Sequence, residues 1–200
     1  MIDLGNLSAM ELDVLNELGN IGSGHAATSL SILFDKDVDI SVPKIRIVEI
    51  KNIYNELING VVAGVLIALE SLDEGRSGYL YIMLPENSSK QIVTDLLGME
   101  NTDNEMYAST VMEIGNILSS SFCDALAEFM DIVLLPSPPS YAMDSPTAII
   151  DSVVSQMAKS SEHIIIFGTS LRTDSNIEIF LSLLPEQGLL DSIMKTVGQL

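Results

Sequence analysis

The sequence is short of several things, and each shortage excludes a class of protein. One cysteine, Cys123, rules out an internal disulfide and any cysteine-rich metal site. Basic side chains are few, with 9 Lys and Arg against 28 Asp and Glu and a formal net charge of −19. Such a surface repels phosphate backbones, so nucleic-acid binding would need a local basic stripe. The densest basic group is Lys44, Arg46 and Lys51, and it sits among acids. Long apolar runs are missing too. The longest, Val61 to Leu69, falls far short of the roughly 20 residues a membrane helix needs. At the N-terminus Asp3, Glu11, Asp13 and Glu17 interrupt any apolar stretch, so no signal peptide is expected. These exclusions leave a soluble, cytoplasmic protein with no nucleic-acid partner and no membrane insertion.

Apolar residues supply 47% of the chain and charged residues 18%, so a large buried core is expected and disorder only at the ends. Cys123 lies in an apolar helical context, Ser121-Phe122-Cys123-Asp124-Ala125, and reads as a buried structural thiol. His25 lacks a His, Cys or acidic partner at metal-ligand spacing and reads as a packed or capping histidine. Gly19-x-x-Gly22-x-Gly24 has the wrong order and the wrong place, inside a helix, for a dinucleotide fingerprint. No metal site and no resident cofactor is expected.

Self-comparison is more informative. Glu17-Leu18-Gly19-Asn20-Ile21 returns as Glu113-Ile114-Gly115-Asn116-Ile117, 96 positions on. Leu84-Pro85-Glu86 returns as Leu184-Pro185-Glu186, and Leu97-Gly98 is answered by Val197-Gly198, both 100 positions on. A collinear series of this kind indicates a duplicated unit, residues 7–98 and 102–198, joined by a short polar connection.

Each unit opens on a capping box, Ser8-Ala9-Met10-Glu11 in the first and Thr102-Asp103-Asn104-Glu105 in the second. Met10, Val14, Leu15, Leu18 and Ile21 fall three or four apart and predict an inward face of a helix, or helix pair, running to about Phe34. Gly22 and Gly24 are candidates for a break in it. Alternating residues from Val38 to Val48 predict strands interrupted at Pro43, followed by a hairpin across Asp73-Glu74-Gly75. A helix from about Asn87 to Leu97 ends on Gly98. The second half predicts a helix over 106–130, strands near 163–171 and 177–184, and a last helix ending near Gly198. Residues 144–160 read equally as strand, helix or loop. The fold class is α+β: a pseudo-twofold pair of units with helices packed on one shared antiparallel sheet.

Glu17 and Asn20 sit three apart on the first helix, about 60° around its axis, with Asp13 one turn earlier. Ser109, Glu113 and Asn116 repeat the pattern. The apolar stripe lies opposite, so these side chains are expected to face solvent or a partner. A solvated helix face is the ordinary reading of one such pair. Asn and Gly, however, are both poor helix-interior residues, and Gly-Asn occupies mid-helix twice. That implies either close backbone packing or a task for the side chain.

At these residues the sequence resembles the CheC-type chemotaxis phosphatases, a family that takes in CheX and FliY. Their signature is Asp or Ser, three residues, Glu, two residues, Asn, twenty-two residues, Pro. Asp13, Glu17, Asn20 and Pro43 meet it, and so do Ser109, Glu113, Asn116 and Pro139. Two intact motifs and no extra terminal domain place the chain nearest CheC itself. The resemblance implies a phosphatase for the phosphoaspartate of a CheY-like response regulator. It further implies that Asn20 and Asn116 orient the attacking water, and that Glu17 and Glu113 pair with the regulator's lysine. Mg²⁺ would be held by the regulator. The roles of Asp13 and Ser109 stay open among capping, buttressing the Glu and touching the partner. The family also implies a possible second partner, the deamidase CheD, with Asp144 a candidate contact or a solvated loop acid. With two sites on one chain a monomer suffices. The alternative is a non-catalytic docking module of the flagellar-switch or CheD-regulatory type.

Overall fold

The computed structural model describes residues 8–42, 44–71, 75–99, 103–159, 162–173 and 177–197. Ser8 opens the first helix with the predicted capping box. Its Oγ accepts the Glu11 N–H at 3.3 Å, and the Glu11 carboxylate accepts the Ser8 N–H at 2.6 Å. The Ser8 hydroxyl and N–H together hold the Glu11 carboxyl below the usual range. From there α1 (Ala9–Phe34) runs as one unbroken helix, so the expected break at Gly22 and Gly24 does not occur. Its counterpart, α3 (Asn104–Met130), is capped by Asp103, whose carboxylate accepts the Met106 N–H at 2.8 Å. The cap therefore lies one residue after the predicted one. Thr102 falls outside the described residues, and with Met106 at the third helical position no reciprocal carboxylate closes a box.

The buried stripe of α1 also differs from the expected one. Leu15, Leu18 and Leu30 are buried, but most of the rest is small: Gly19, Gly22, Ser23, Ala26 and Ala27. Met10 is 64% exposed. Periodicity among large apolar residues finds Leu15 and Leu18, with Val14 packed against the same core, but misses the small residues that carry much of the contact. His25 is exposed, neither packed nor capping.

Eight strands form one antiparallel sheet, and the chain crosses within it. β1 (Val38–Ile40) and β2 (Lys44–Glu49) both pair with β7 (His163–Thr173). Reciprocally, β5 (Leu134–Pro136) and β6 (Ser140–Asp144) both pair with β3 (Val62–Ser71). β3 forms the predicted hairpin with β4 (Gly75–Pro85); its turn residues, 72–74, lie outside the described residues. β7 pairs with β8 (Glu178–Pro185), and β4 with β8 closes the centre. Read across, the order is β1/β2, β7, β8, β4, β3, β5/β6. Helix, two short strands, a short helical segment, two long strands and a helix follow one another in residues 9–97 and again in 104–197. Pro43 and Gly198, two positions singled out in the sequence, lie outside the described residues.

Both faces of the sheet are covered, which explains why its strands read as nearly continuous apolar runs. On one face Val65, Ile67, Leu80, Ile82, Ile165, Phe167, Leu181 and Leu183 pack with Leu15, Leu18, Leu118 and Phe122 of the long helices. The same core takes in Ile92 and Val93 of α2 (Glu86–Leu97) and Leu189, Leu190 and Ile193 of α5 (Gln187–Val197). As predicted, α2 ends on Gly98, at φ 65°. The other face packs Tyr79, Tyr81, Met83, Ile164 and Ile166 against Ile53 of a 3-10 segment (Ile50–Glu56) and against α4 (Pro146–Met157). Of residues 144–160, ambiguous in the sequence, 144–157 are therefore the end of β6 followed by α4; residue 160 lies outside the described residues.

Candidate active site

α1 and α3 lie against one another and carry the two copies of the motif. They meet where Gly22 faces Phe122: a Cβ on Gly22 would stand 2.6 Å from the Phe122 ring. They meet again at Ser29 and Ser121, whose hydroxyls are 2.6 Å apart. Both contacts fall after the Glu-x-x-Asn pair in each helix. Each pair therefore sits on the stretch of helix that leads into the crossing, fixed by packing beneath it and open above it.

Glycine and asparagine of the repeated Gly-Asn have separate explanations. Gly115 is buried against the sheet, and a Cβ there would lie 2.6 Å from Cγ1 of Val65 on β3. Gly19 is buried on the corresponding stretch of α1. Gly115 thus lets the helix backbone approach the sheet closely. Packing does not account for the asparagines. Asn20 and Asn116 are exposed, as are Glu17 and Glu113, and among the described residues none of these four side chains has a hydrogen-bond partner. Four polar groups held on rigid helices without internal partners are available to an incoming protein.

Asp13 and Ser109 are exposed one turn before Glu17 and Glu113. Neither caps its helix, since Ser8 and Asp103 do that. Asp144 lies apart from both triads. It ends edge strand β6, is exposed, pairs in register with Val62, and its carboxylate accepts the N–H of Ser145 at 2.6 Å. The structure therefore brings six of the sequence-derived residues onto the α1/α3 layer and leaves the seventh at the sheet edge.

Other chemistry is sparse. Among the described residues no three His, Cys, Asp or Glu side chains gather as a metal site needs. No described helix is long and apolar enough to cross a membrane. Cys123 is buried, and burial, with Asp124 adding to it, pushes its thiol up to about 12, so it is no nucleophile at neutral pH. A groove of about 540 Å³ opens near the end of the sheet, over Gly168, Ser170 and Ser182. Its two arginines are already engaged, Arg46 by Glu56 and Arg172 by Glu178, and it is not lined by the motif.

Comparison with known proteins agrees with this geometry. The sequence model of the CheC-like family matches residues 10–47 and again 106–141, the two stretches that contain the triads. A curated relative, the CheY-P phosphatase CheC of Bacillus subtilis, is 26% identical, with 94% of each chain covered. Among solved structures, FliY of Thermotoga maritima superposes with a TM-score of 0.71 at 21% identity, covering 96% of this chain and 98% of that one. CheX in a CheX–CheY–BeF₃–Mg²⁺ complex from Borrelia burgdorferi superposes with a TM-score of 0.56 at 15% identity, covering 84% and 97%. In sequence and in fold, the chain is similar to the CheC-like proteins.

Proposed function

We propose that this CheC-like chain accelerates hydrolysis of the phosphoaspartate on a CheY-like response regulator, with Asn20 and Asn116 each orienting the attacking water. The observation that carries the reading is the doubled, unpartnered Glu-x-x-Asn pair exposed on two packed helices. The relative named as a CheY-P phosphatase and the fold shared with CheX of the CheX–CheY complex support the same partner class.

The chemistry asks little of this chain. An acyl phosphate with a bound divalent cation, both on the regulator, is already activated. The water's oxygen attacks phosphorus, the P–O bond to the aspartyl carboxyl breaks, and inorganic phosphate leaves while the carboxylate is regenerated. A carboxamide accepts one hydrogen bond from the water and donates another to the phosphoryl oxygens, which aligns the attack. Positioning water with a side-chain amide is the role of glutamine in small GTPases. Glu17 and Glu113 pair with a cationic side chain of the regulator and set the register of docking. Asp13 and Ser109, one turn away on the same exposed face, meet the regulator at the margin. Orientation of this kind contributes roughly 10²-fold or more.

In this reading the two halves, 7–98 and 102–198, are duplicated units with one site each, and a cytoplasmic monomer is sufficient. A CheD-type deamidase is a further candidate partner, engaged away from the helices, with Asp144 as a contact.

The test is phosphate release from a phosphorylated CheY-like receiver with Mg²⁺. Changing Asn20 and Asn116 together to Ala is expected to lower the acceleration at least 10²-fold while leaving the melting temperature within a few degrees, because both are exposed. Full activity in the double variant would refute the water-orienting role. Binding without any acceleration in the unsubstituted chain would leave a docking module instead.

A further inference from the structure

One residue of α1 has no explanation in the fold itself. Gly24 lies in the interior of a 26-residue helix, where glycine is the weakest former after proline. Gly22 and Gly115 of the same helical layer are accounted for by close contacts, against Phe122 and Val65, each at 2.6 Å from a built Cβ. At Gly24 a Cβ would meet nothing within 4 Å. The helix does not break or end there, and the Gly24 carbonyl is doubly engaged, with the Thr28 hydroxyl donating to it at 2.9 Å. Neither packing nor a turn calls for glycine at this position.

Its place on the helix supplies a reason. Gly24 follows Asn20 by four residues, Glu17 by seven and Asp13 by eleven, so by spacing it continues the face of those exposed residues, and is itself half-buried. It presents bare backbone one turn beyond the water-orienting carboxamide. We propose that Gly24 is a clearance residue for the first site: the missing side chain lets the receiver domain settle closely enough for Asn20 to reach the phosphoryl group. The inference rests on the docking proposed above. In the second half the position one turn after Asn116 is Ser120, half-buried like Gly24 but carrying a side chain. Clearance there is smaller, and the two sites are unequal.

The experiment isolates the first site in an Asn116→Ala background and compares Gly24→Ala with Gly24→Leu. Clearance predicts a graded effect. Alanine raises the half-saturating receiver concentration a few-fold, and leucine raises it at least tenfold. Maximal turnover falls less than affinity in each case. Gly24→Ala, as a better helix former, raises the melting temperature by about 2–3 °C. The same two substitutions at His25, exposed but about 100° round the helix, leave the rate unchanged. A hinge role would make alanine as damaging as leucine, and that outcome overturns the proposal. So does an Asn116→Ala/Gly24→Leu protein as active as its parent, or an Asn116→Ala protein with no activity while Asn20→Ala retains it. No acceleration by the unsubstituted chain would remove the phosphatase reading and this inference together, which distinguishes that failure from the others.

Discussion

Gly22, Gly24 and Gly115 are chemically identical and stand for three different constraints. A methyl group on Gly115 would start 2.6 Å from the Val65 side chain on β3. Overpacking of that kind costs about 1–3 kcal/mol, against roughly 0.8–1 kcal/mol that alanine returns as a better helix former. Gly115→Ala is therefore expected to lower the melting temperature, by a few degrees at most, in a thermal unfolding experiment. The same change at Gly24 is expected to raise it. Opposite signs for one substitution on two helices of one layer would be hard to obtain from propensity alone. At this scale the sequence was legible where a polar side chain recurred without structural reason, as with Asn20 and Asn116. It was not legible where the informative feature was a small buried residue. Gly19, Ser23 and Ala27 define the true inner face of α1, yet they carry almost no hydrophobic signal.

At the scale of the element, both long helices begin on a side-chain cap and end on an aspartate in the left-handed region, Asp35 at φ 49° and Asp131 at φ 53°. Removing the Asp103 carboxylate leaves the Met106 N–H without its acceptor, and Asp103→Ala is expected to cost about 1 kcal/mol. Asp131→Gly removes the penalty that a Cβ carries at positive φ and is expected to stabilise by about 0.5–1 kcal/mol. Chemical denaturation of the two variants checks both signs, and midpoints moving in the same direction would refute the assignment of these helix ends. Most elements could be read from the chain: the capping box at Ser8, the long apolar strands and the Gly98 stop all occur where expected. α4 could not, because Ile149, Ile150, Val153 and Val154 are β-branched and suit a strand as well as a helix. Two local signals did favour the helix. Ser145 caps it, its hydroxyl accepting the Ala148 N–H at 3.4 Å, and Pro146 sits at the first helical position. Periodicity outweighed them because burial on the second sheet face is a tertiary fact.

For the whole molecule, the sheet is the decisive object. Among the described residues β1 and β2 have ladder partners only on β7, and β5 and β6 only on β3, so each half lends its short strands to the other. The central β4–β8 pair joins the halves a third time. Residues 1–100 or 101–200 produced alone would keep a hairpin and a long helix but lose the partners of the edge strands and half the helical core. Neither fragment is expected to fold by itself, and circular dichroism with amide hydrogen exchange would test this. A cooperative transition in either fragment would contradict it. The sequence repeat pointed to two units on one sheet, but the exchange of strands was out of reach. A repeated pattern indicates the order of elements, whereas the pairing across halves is chosen by which faces can be buried together.

That exchange makes the tether between the halves dispensable in a particular sense. A nick between Met99 and Asp103 would sever no ladder and open no described helix. The two resulting polypeptides would still need each other for every outer strand. What a covalent link now accomplishes would fall to mass action, and one chain would become an obligate pair of polypeptides, folded only above the concentration at which they find one another.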